Sequence, residues 1–262
     1  MSTLSSFAKR ARLVAAFIAS GSSPGQWLRL GLLGWSRGNP SGWLPTRVGA
    51  VRVSPTALHG RTVVVDVTDL GHLVSFEEIF VLKAYDLGRV PFQPHVIVDC
   101  GAHAGFFAAL AAAAFPHAPI VAFEPNPVNV TWLRQNLESH RATVHDAAVS
   151  IANRHGNFTA SDSNAGRLTA GAGSPVRVVD LRQQLPSLPD LLLKMDVEGE
   201  EAKLLPHVLS VLPARCALFI ETHHGPAARQ QLSAALAAAG FAVTQVRERE
   251  PYADLFALRS AA

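Results

Sequence analysis

From residue 95 onward the chain follows a regular hydrophobic pattern, in which short apolar runs alternate with longer stretches rich in alanine and leucine. A short run that is apolar on both faces is typical of a strand buried inside a parallel sheet, and it is too short for a helix. The pattern predicts such strands at residues 96–98, 120–123, 143–145, 191–193 and 217–220. It predicts helices at residues 106–115, 128–137, 200–212 and 227–239.

Two more strands are predicted near the end of the chain, at residues 241–246 and 254–258. Only the short turn region 248–251 separates them, so there is no room for a crossover helix and they must run antiparallel. Repeated alternation of strand and helix predicts a parallel sheet with helices on both faces. The predicted fold class is therefore α/β, a doubly wound, Rossmann-like, mostly parallel sheet with one antiparallel strand near its edge.

The first part of the chain has a different pattern. Residues 51–53 and 62–67 are rich in β-branched side chains, which predicts a β-hairpin, and residues 76–87 predict a short helix. The segment before them is rich in Gly, Pro, Ser and Trp. We therefore divide the chain into a basic, Trp/Gly-rich N-terminal extension (1–50), a hairpin and helix that lead into the core (51–94), and a Rossmann-like domain (95–262).

Composition excludes several classes of protein. Hydrophobic residues make up 48% of the chain and charged residues 16%, which excludes an intrinsically disordered protein. No apolar run approaches the roughly 20 residues that a transmembrane helix needs, so no span is predicted. The two cysteines, Cys100 and Cys216, are too few to hold a chain of this length together, and we expect both to fill the core. This cysteine usage favours a reducing compartment, and we expect a cytoplasmic protein.

Charge is distributed unevenly along the chain. Residues 1–65 contain eight basic residues and no acidic residue, whereas the rest of the chain contains 15 basic and 20 acidic residues. A basic arm of this kind could contact an anionic surface, but a solvated extension is the simpler interpretation. Residues 10–20 have some features of a targeting peptide, and residues 7–18 are equally typical of a short amphipathic helix.

A polar residue follows each of the first five predicted strands. In a doubly wound sheet, ligands bind beyond the carboxyl ends of the strands, so these residues form the predicted site. Any one of them could be an ordinary helix cap, but five together favour a functional edge. They are Asp99, Glu124, Asp146, Asp196 with Glu198, and Glu221 with His223.

The turn after the first strand indicates which ligand this edge binds. Gly101 and Gly105 allow a close approach of the backbone, and Glu124 lies at the spacing of an acid that binds ribose hydroxyls. A dinucleotide site would need a middle glycine, and Asp99 would repel its pyrophosphate. An acid before the glycines suits a ligand with a positive amine, which indicates S-adenosylmethionine. The competing interpretation is a structural Asp with two packing glycines.

Four segments of the sequence resemble the FkbM-type methyltransferases. They are VIVDCGAHAGF (96–106), AFEPNP (122–127), AAVS (147–150) and LKMDVEGEE (193–201), and the resemblance covers roughly residues 75–225. His103 departs from the pattern, because the family commonly has Asn there. The resemblance implies S-adenosylmethionine-dependent methylation, usually of an oxygen on a sugar, a polyketide or a related metabolite.

The resemblance also implies roles for the residues at the strand ends. Asp99, Gly101 and Gly105 would line the methionine end of the cofactor, Glu124 the ribose, and Asp146 with the backbone of Ala147 the adenine. Ala102 and Asn126, in the same two turns, complete the predicted cofactor-binding set. We expect Asp196, Glu198 and His223 to be catalytic, because a hydroxyl acceptor must lose a proton. We assign Glu200 and Glu201 a structural role, because acids are favoured at a helix start.

Other functions stay open at this stage. Mg²⁺ could be held by oxygen ligands such as Asp196 and Glu221, but nothing in the sequence demands a metal, and we assign no metal ligands. A nicotinamide-dependent oxidoreductase and a non-catalytic Rossmann-like binding module are the alternatives. We expect a small-molecule acceptor as the partner. Nucleic acid is not expected, since the core is net acidic.

Overall fold

The computed structural model describes residues 50–66, 69–160, 166–169, 171–249 and 251–260. The described chain divides into two compact units, the first reaching Lys83 and the second beginning at Ala84. The predicted extension over residues 1–50 lies, apart from Ala50, outside the described residues. The same is true of the targeting or amphipathic segment within it.

The first unit contains a β-hairpin followed by a helix. Strand β1 (Ala50–Val53) pairs antiparallel with β2 (Val63–Asp66), which confirms the predicted hairpin. Helix α1 (Leu70–Phe76) continues as a π-helical turn (Glu77–Val81), so the predicted helix at 76–87 is wrong at both ends. The early start is due to Asp69, whose side chain accepts the Gly71 N–H at 2.7 Å and caps the helix seven residues before the predicted start at residue 76.

The second unit is built on a seven-stranded sheet. Its strand order is β12-β13-β11-β10-β3-β4-β5. Five neighbouring strands, β5, β4, β3, β10 and β11, run parallel, and β13 runs antiparallel to both of its neighbours. The predicted fold class is confirmed, including the antiparallel strand next to the edge. The strands are β3 (Val96–Cys100), β4 (Ile120–Glu124), β5 (Ala142–Asp146), β10 (Asp190–Met195), β11 (Arg215–Thr222), β12 (Ala242–Arg249) and β13 (Tyr252–Arg259).

Helices connect the parallel strands, as the sequence predicts. Their bounds agree closely with the predicted ones, except that Pro206 lies inside α5 and the last predicted turn is a 3₁₀ segment (Leu209–Val211). Another 3₁₀ segment (Leu87–Arg89) precedes β3. Among the described helices, none is long and apolar enough to cross a membrane. The α-helices are α2 (Phe106–Ala114), α3 (Pro127–Leu137), α4 (Leu181–Gln184), α5 (Glu201–Val208) and α6 (Gly225–Ala238).

The central strands are buried on both faces, which explains their continuous apolar sequence. Leu193 of β10 is paired with Val98 of β3 on one side and Leu218 of β11 on the other, and all three are fully buried. Cys100 and Cys216 lie in the same core as free thiols, so the prediction that they fill the core is confirmed. Burial raises the pKa of both thiols, which makes them unreactive at neutral pH.

A second sheet occupies the segment whose sequence shows no clear pattern. Strands β6 (Ala148–Ser150), β7 (Arg154–Thr159), β8 (Arg167–Thr169) and β9 (Ser174–Asp180) pair in the order β6-β9-β7-β8. The hydrophobic pattern indicates no regular element between the strands predicted at 143–145 and 191–193, whereas the structure has four strands there. No residue of β7 or β8 is buried, β6 is buried but only three residues long, and β9 is buried only in its last three residues. The segment therefore lacks the longer apolar run or the regular alternation that marks a buried strand.

The loop after β3 passes very close to the end of β10. Gly101 has φ +78°, and a Cβ atom placed there would lie 1.8 Å from the backbone oxygen of Asp196. Only glycine combines this backbone conformation with this approach.

We expect Gly101→Ala to lower the free energy of unfolding by about 2–5 kcal/mol, because the change adds backbone strain and a steric clash. Urea denaturation measures this difference. Gly171→Ala is the matched control, since nothing lies within 4 Å of its Cβ position and its φ is not positive. Equal stability of the two variants would contradict the close approach.

Candidate active site

The carboxyl ends of five parallel strands bring the predicted site residues to one edge of the sheet. The side chains at β4 and β5 are in register, with Glu124 opposite Asp146. Asp99 of β3 lies opposite Lys194 of β10. The loop after β10 carries Asp196 and Glu198, and His223 directly follows β11.

The glycine loop between β3 and α2 is fixed by backbone contacts to β4. The N–H groups of Gly101 and Ala102 both donate to the oxygen of Phe123 at 3.0 Å. Gly105 has φ +86° and caps α2, and a Cβ there would lie 2.8 Å from Leu133 Cδ1. Both glycines therefore have a packing role that does not depend on a ligand.

Glu124 joins this loop to the loop that follows β4. Its carboxylate is buried and accepts the N–H of His103 at 2.8 Å and the N–H of Asn126 at 2.9 Å. Asn129 Nδ2 lies at 3.5 Å. Burial raises the pKa of Glu124 to about 7, against the lowering effect of these donors. A carboxylate has about four acceptor positions, so Glu124 retains capacity for further donors.

Asp99 is paired inside the protein. It is fully buried, and Lys194 Nζ lies 3.3 Å from its Oδ1. The same ammonium donates to the oxygen of Gly101 at 2.6 Å and lies 3.5 Å from Asp196 Oδ2. Burial raises the pKa of Asp99 despite the opposing charge of Lys194. Neither oxygen of Asp99 has a hydrogen-bond partner among the described residues, and its contact with the methionine end of the cofactor stays a prediction.

Lys194 is a site residue that sequence reasoning missed. It is a single lysine in the apolar strand β10 and is only 4% exposed. A lysine in a strand buried on both faces needs a partner, so this position carried a usable signal. Burial lowers the pKa of Lys194, but attraction from Asp99 and Asp196 outweighs burial and the net effect is a higher pKa.

The loop after β10 and the end of β11 form a cluster of carboxylates around one imidazole. His223 Nε2 lies 3.4 Å from Glu198 Oε2, 3.8 Å from Asp196 Oδ1 and 4.0 Å from Glu221 Oε1. Asp196, Glu198 and His223 each place one potential ligand atom within 4.8 Å of the others. The structure thus brings together the three residues predicted to be catalytic.

Glu201 belongs to the same cluster, although the sequence suggested only a helix start. Its carboxylate is fully buried, accepts the Val197 N–H at 2.8 Å, and lies 3.0 Å from His223 Nδ1. It also accepts the Gly199 N–H, and so fixes the loop after β10. Glu200, in contrast, bonds to Ser150 and Lys203 away from His223, as a structural residue would.

Burial and like charge perturb the titration of this cluster. Burial, and then the charge of Asp196, raise the pKa of Glu198 to about 7. For His223, burial lowers the pKa, but the contact with Glu201 and the neighbouring carboxylates outweigh it and raise the pKa to about 9. Glu198 also has φ +54°, which is strained for a residue other than glycine. Strain and perturbed pKa values together are typical of a functional site.

The remaining predicted residues lie at the β4 and β5 ends. Asn126 caps α3 by accepting the Val128 N–H at 3.0 Å, and Asp146 is exposed. The buried Ala147 donates its N–H to the oxygen of Glu124 at 3.2 Å. His224 contacts the oxygen of Gly199 at 2.6 Å rather than the carboxylate cluster.

A seven-stranded sheet with one antiparallel strand next to the edge, and with acids at its carboxyl ends, defines a class I methyltransferase-like fold. The model of the methyltransferase FkbM domain matches residues 99–249, more than half of the chain. The chain therefore belongs to the FkbM methyltransferase domain family.

Individual relatives are more distant. Over 62 residues the chain is 42% identical to the methyltransferase sdnD of Sordaria araneosa, a match that covers only 24% of each protein. The solved methyltransferase FkbM of Methylobacillus flagellatus KT is 17% identical with a TM-score of 0.48, over 65% of this chain and 45% of that chain. A putative transferase of Pyrococcus horikoshii is 13% identical with a TM-score of 0.51, over 88% of this chain and 82% of that chain, and has a similar fold.

We expect Lys194→Met to destabilise the protein by about 3–5 kcal/mol, because it leaves Asp99 buried without a cation. The double change Lys194→Met with Asp99→Asn should recover most of this loss, since it removes both charges. Chemical denaturation of the wild type, the single variants Lys194→Met and Asp99→Asn, and the double variant gives the coupling energy. Additive losses in the double variant would show that the two side chains do not stabilise each other.

Proposed function

We propose that this protein is an S-adenosylmethionine-dependent methyltransferase that methylates a hydroxyl oxygen of a small metabolite such as a sugar or a polyketide. The observation that carries this proposal is the single edge where the glycine loop, Glu124 and the Asp196–Glu198–His223 cluster meet. Membership of the FkbM family supports methyl transfer.

The cofactor would lie across the ends of β3, β4 and β5. In this proposal Gly101, Ala102 and Gly105 give the backbone room for the methionine end. The backbone N–H groups of His103 and Asn126 occupy two acceptor positions of the Glu124 carboxylate. Its remaining acceptor positions accept hydrogen bonds from the ribose hydroxyls. Asn126 would lie near the ribose, and Asp146 and Ala147 would lie near the adenine. Asp99, next to Lys194, would lie near the methionine end.

Methyl transfer is an in-line displacement at carbon. The acceptor oxygen forms the new bond to the methyl group while the carbon–sulfur bond breaks, and S-adenosylhomocysteine leaves as a neutral thioether. The hydroxyl proton passes to a base, and Asp196 and Glu198 are the proposed acceptors at the neighbouring strand ends. His223, whose pKa is raised to about 9, completes the catalytic set as a protonated imidazole that stabilises these carboxylates near neutral pH. Positioning of the two reactants supplies most of the remaining rate.

The alternatives have less support. A nicotinamide-dependent oxidoreductase would need a middle glycine in the loop after β3, where Ala102, His103 and Ala104 stand. A non-catalytic module would have no reason to keep a strained, partly buried cluster of acids around His223. We keep the cytoplasm as the proposed location, because both cysteines are free and buried.

We expect S-adenosylhomocysteine to raise the melting temperature, since a ligand that binds only the folded state stabilises it by mass action. NADH should produce no shift at the same concentration. Differential scanning fluorimetry followed by titration calorimetry makes the comparison. A shift with NADH and none with S-adenosylhomocysteine would overturn the proposed function in favour of the oxidoreductase.

We expect the affinity for S-adenosylhomocysteine to increase about tenfold from pH 6 to pH 8, because a carboxyl with a pKa of about 7 is then converted to the better, ionised acceptor. Glu124→Gln should bind more weakly and lose most of this pH dependence. Calorimetry across the pH range is the measurement. The control is Glu138→Gln, at an exposed acid just after α3, which should keep the wild-type profile. An unchanged profile in Glu124→Gln would place the titrating group elsewhere.

A further inference from the structure

The cluster at the ends of β10 and β11 has the spacing of a metal site. Ligand atoms that share one ion at about 2.1 Å lie about 3.0–4.2 Å apart, depending on the angle between them. The contacts of His223 Nε2 with Glu198 at 3.4 Å and Asp196 at 3.8 Å fall in this range. They are long for direct hydrogen bonds, and the 3.0 Å contact of Nδ1 with Glu201 is an ion-pair contact without hydrogen-bond geometry.

His223 is oriented as metal-binding histidines are. Its side chain is 8% exposed, and Nδ1 faces the buried carboxylate of Glu201 while Nε2 faces Asp196 and Glu198. In metalloproteins a carboxylate on one ring nitrogen fixes the tautomer and turns the other nitrogen toward the ion. Glu201 is itself held by the Val197 and Gly199 N–H groups, so the ring orientation is built into the loop.

The charge of the cluster also calls for a cation. Four carboxylates, those of Asp196, Glu198, Glu201 and Glu221, lie around His223, and its imidazole contributes at most one positive charge against them. Lys194 reaches Asp196 at 3.5 Å, but the same ammonium already neutralises Asp99. Partly buried carboxylates repel one another unless a cation or a proton compensates them. A divalent ion would compensate two of these charges at once.

The donor set decides which ion fits. Two carboxylate oxygens and one imidazole nitrogen suit Mn²⁺ or Zn²⁺ better than Mg²⁺, which prefers oxygen ligands alone. The sequence interpretation considered Asp196 and Glu221 for Mg²⁺. The geometry instead groups Asp196 with Glu198 and His223 and leaves Glu221 at the longest distance.

We propose that Asp196, Glu198 and His223 bind one divalent transition-metal ion, with Glu201 as the residue that positions His223. Three protein ligands leave coordination positions for solvent or for an acceptor oxygen. The catalytic meaning of the site rests on the proposed function, because an ion here would orient the acceptor hydroxyl and lower its pKa. The binding of the ion does not depend on that function.

The test is direct binding of Mn²⁺ to the tag-free protein after treatment with EDTA, measured by electron paramagnetic resonance of the free ion and by calorimetry. We expect one Mn²⁺ per chain. Asp196→Asn, Glu198→Gln and His223→Ala should each weaken binding at least about tenfold, since each removes one ligand. Added Zn²⁺ should displace the bound Mn²⁺, whereas added Mg²⁺ should displace it only weakly.

Two further variants separate a metal site from adventitious binding. Glu201→Gln should weaken Mn²⁺ binding about 10–100-fold although all three ligands remain, because the ring of His223 is no longer held by a carboxylate. His207→Ala removes the histidine of another close pair, His207 Nε2 with Asp180 Oδ1 at 2.7 Å, and should leave Mn²⁺ binding unchanged. If Glu201→Gln does not fold, the three ligand variants still test whether these residues bind the ion, because their side chains are less central to the packing of the loop.

The metal proposal and the proposed function fail in different ways. If the folded wild type binds neither Mn²⁺ nor Zn²⁺, or binds them as well in all three ligand variants, the metal site is overturned. If that same protein binds S-adenosylhomocysteine, the proposed function survives. If it binds Mn²⁺ through these residues but not S-adenosylhomocysteine, the metal site stands and the proposed function is overturned.

Discussion

The buried ammonium of Lys194 is the interaction on which the whole edge depends. It is the point where three segments meet, since it contacts Asp99 of β3, the oxygen of Gly101 in the glycine loop, and Asp196 after β10. Without a cation at this position, two carboxylates would face each other in a medium of low polarity. The ammonium of Lys194 contacts both the loop that we assign to the cofactor and the loop that we assign to catalysis, and so fixes their relative positions.

This arrangement also explains why the loop after β3 can be so tight. Lys194, which lies between two carboxylates, also donates a hydrogen bond to the carbonyl oxygen of Gly101. Because Gly101 has no Cβ, the ends of β3 and β10 can approach each other closely. Glu124 does the equivalent work on the other side, where it joins the same loop to the loop after β4. The glycine loop is thus fixed from β4 and from β10 before any ligand arrives, which is the preorganisation that a small rigid cofactor site needs.

The sequence predicts the sheet well because strands such as β10 are apolar on both faces and separated by clear helices. It fails for β6 to β9, because β7 and β8 contain no buried residue and the buried parts of β6 and β9 are only three residues long. It also fails for α1, whose start is set by one capping aspartate. The strand-end rule predicts that Asp196, Glu198 and His223 lie at one edge of the sheet, and the structure brings these three residues together there. It cannot show that Glu201 reaches His223 or that Lys194 neutralises Asp99, because both depend on how neighbouring strands bring distant residues into contact.

Glu124 and Glu198 show how the two halves of the edge differ. Burial raises the pKa of both carboxyls to about 7, but their partners are opposite in kind. Glu124 is surrounded by backbone donors of its own chain, so it is already organised and loses little when a ligand binds. Glu198 is strained and faces Asp196 and His223, so its charge is only partly compensated. The carboxylate of Glu124 is therefore already hydrogen-bonded in the free protein, whereas the carboxylates around Glu198 are arranged to bind a cation.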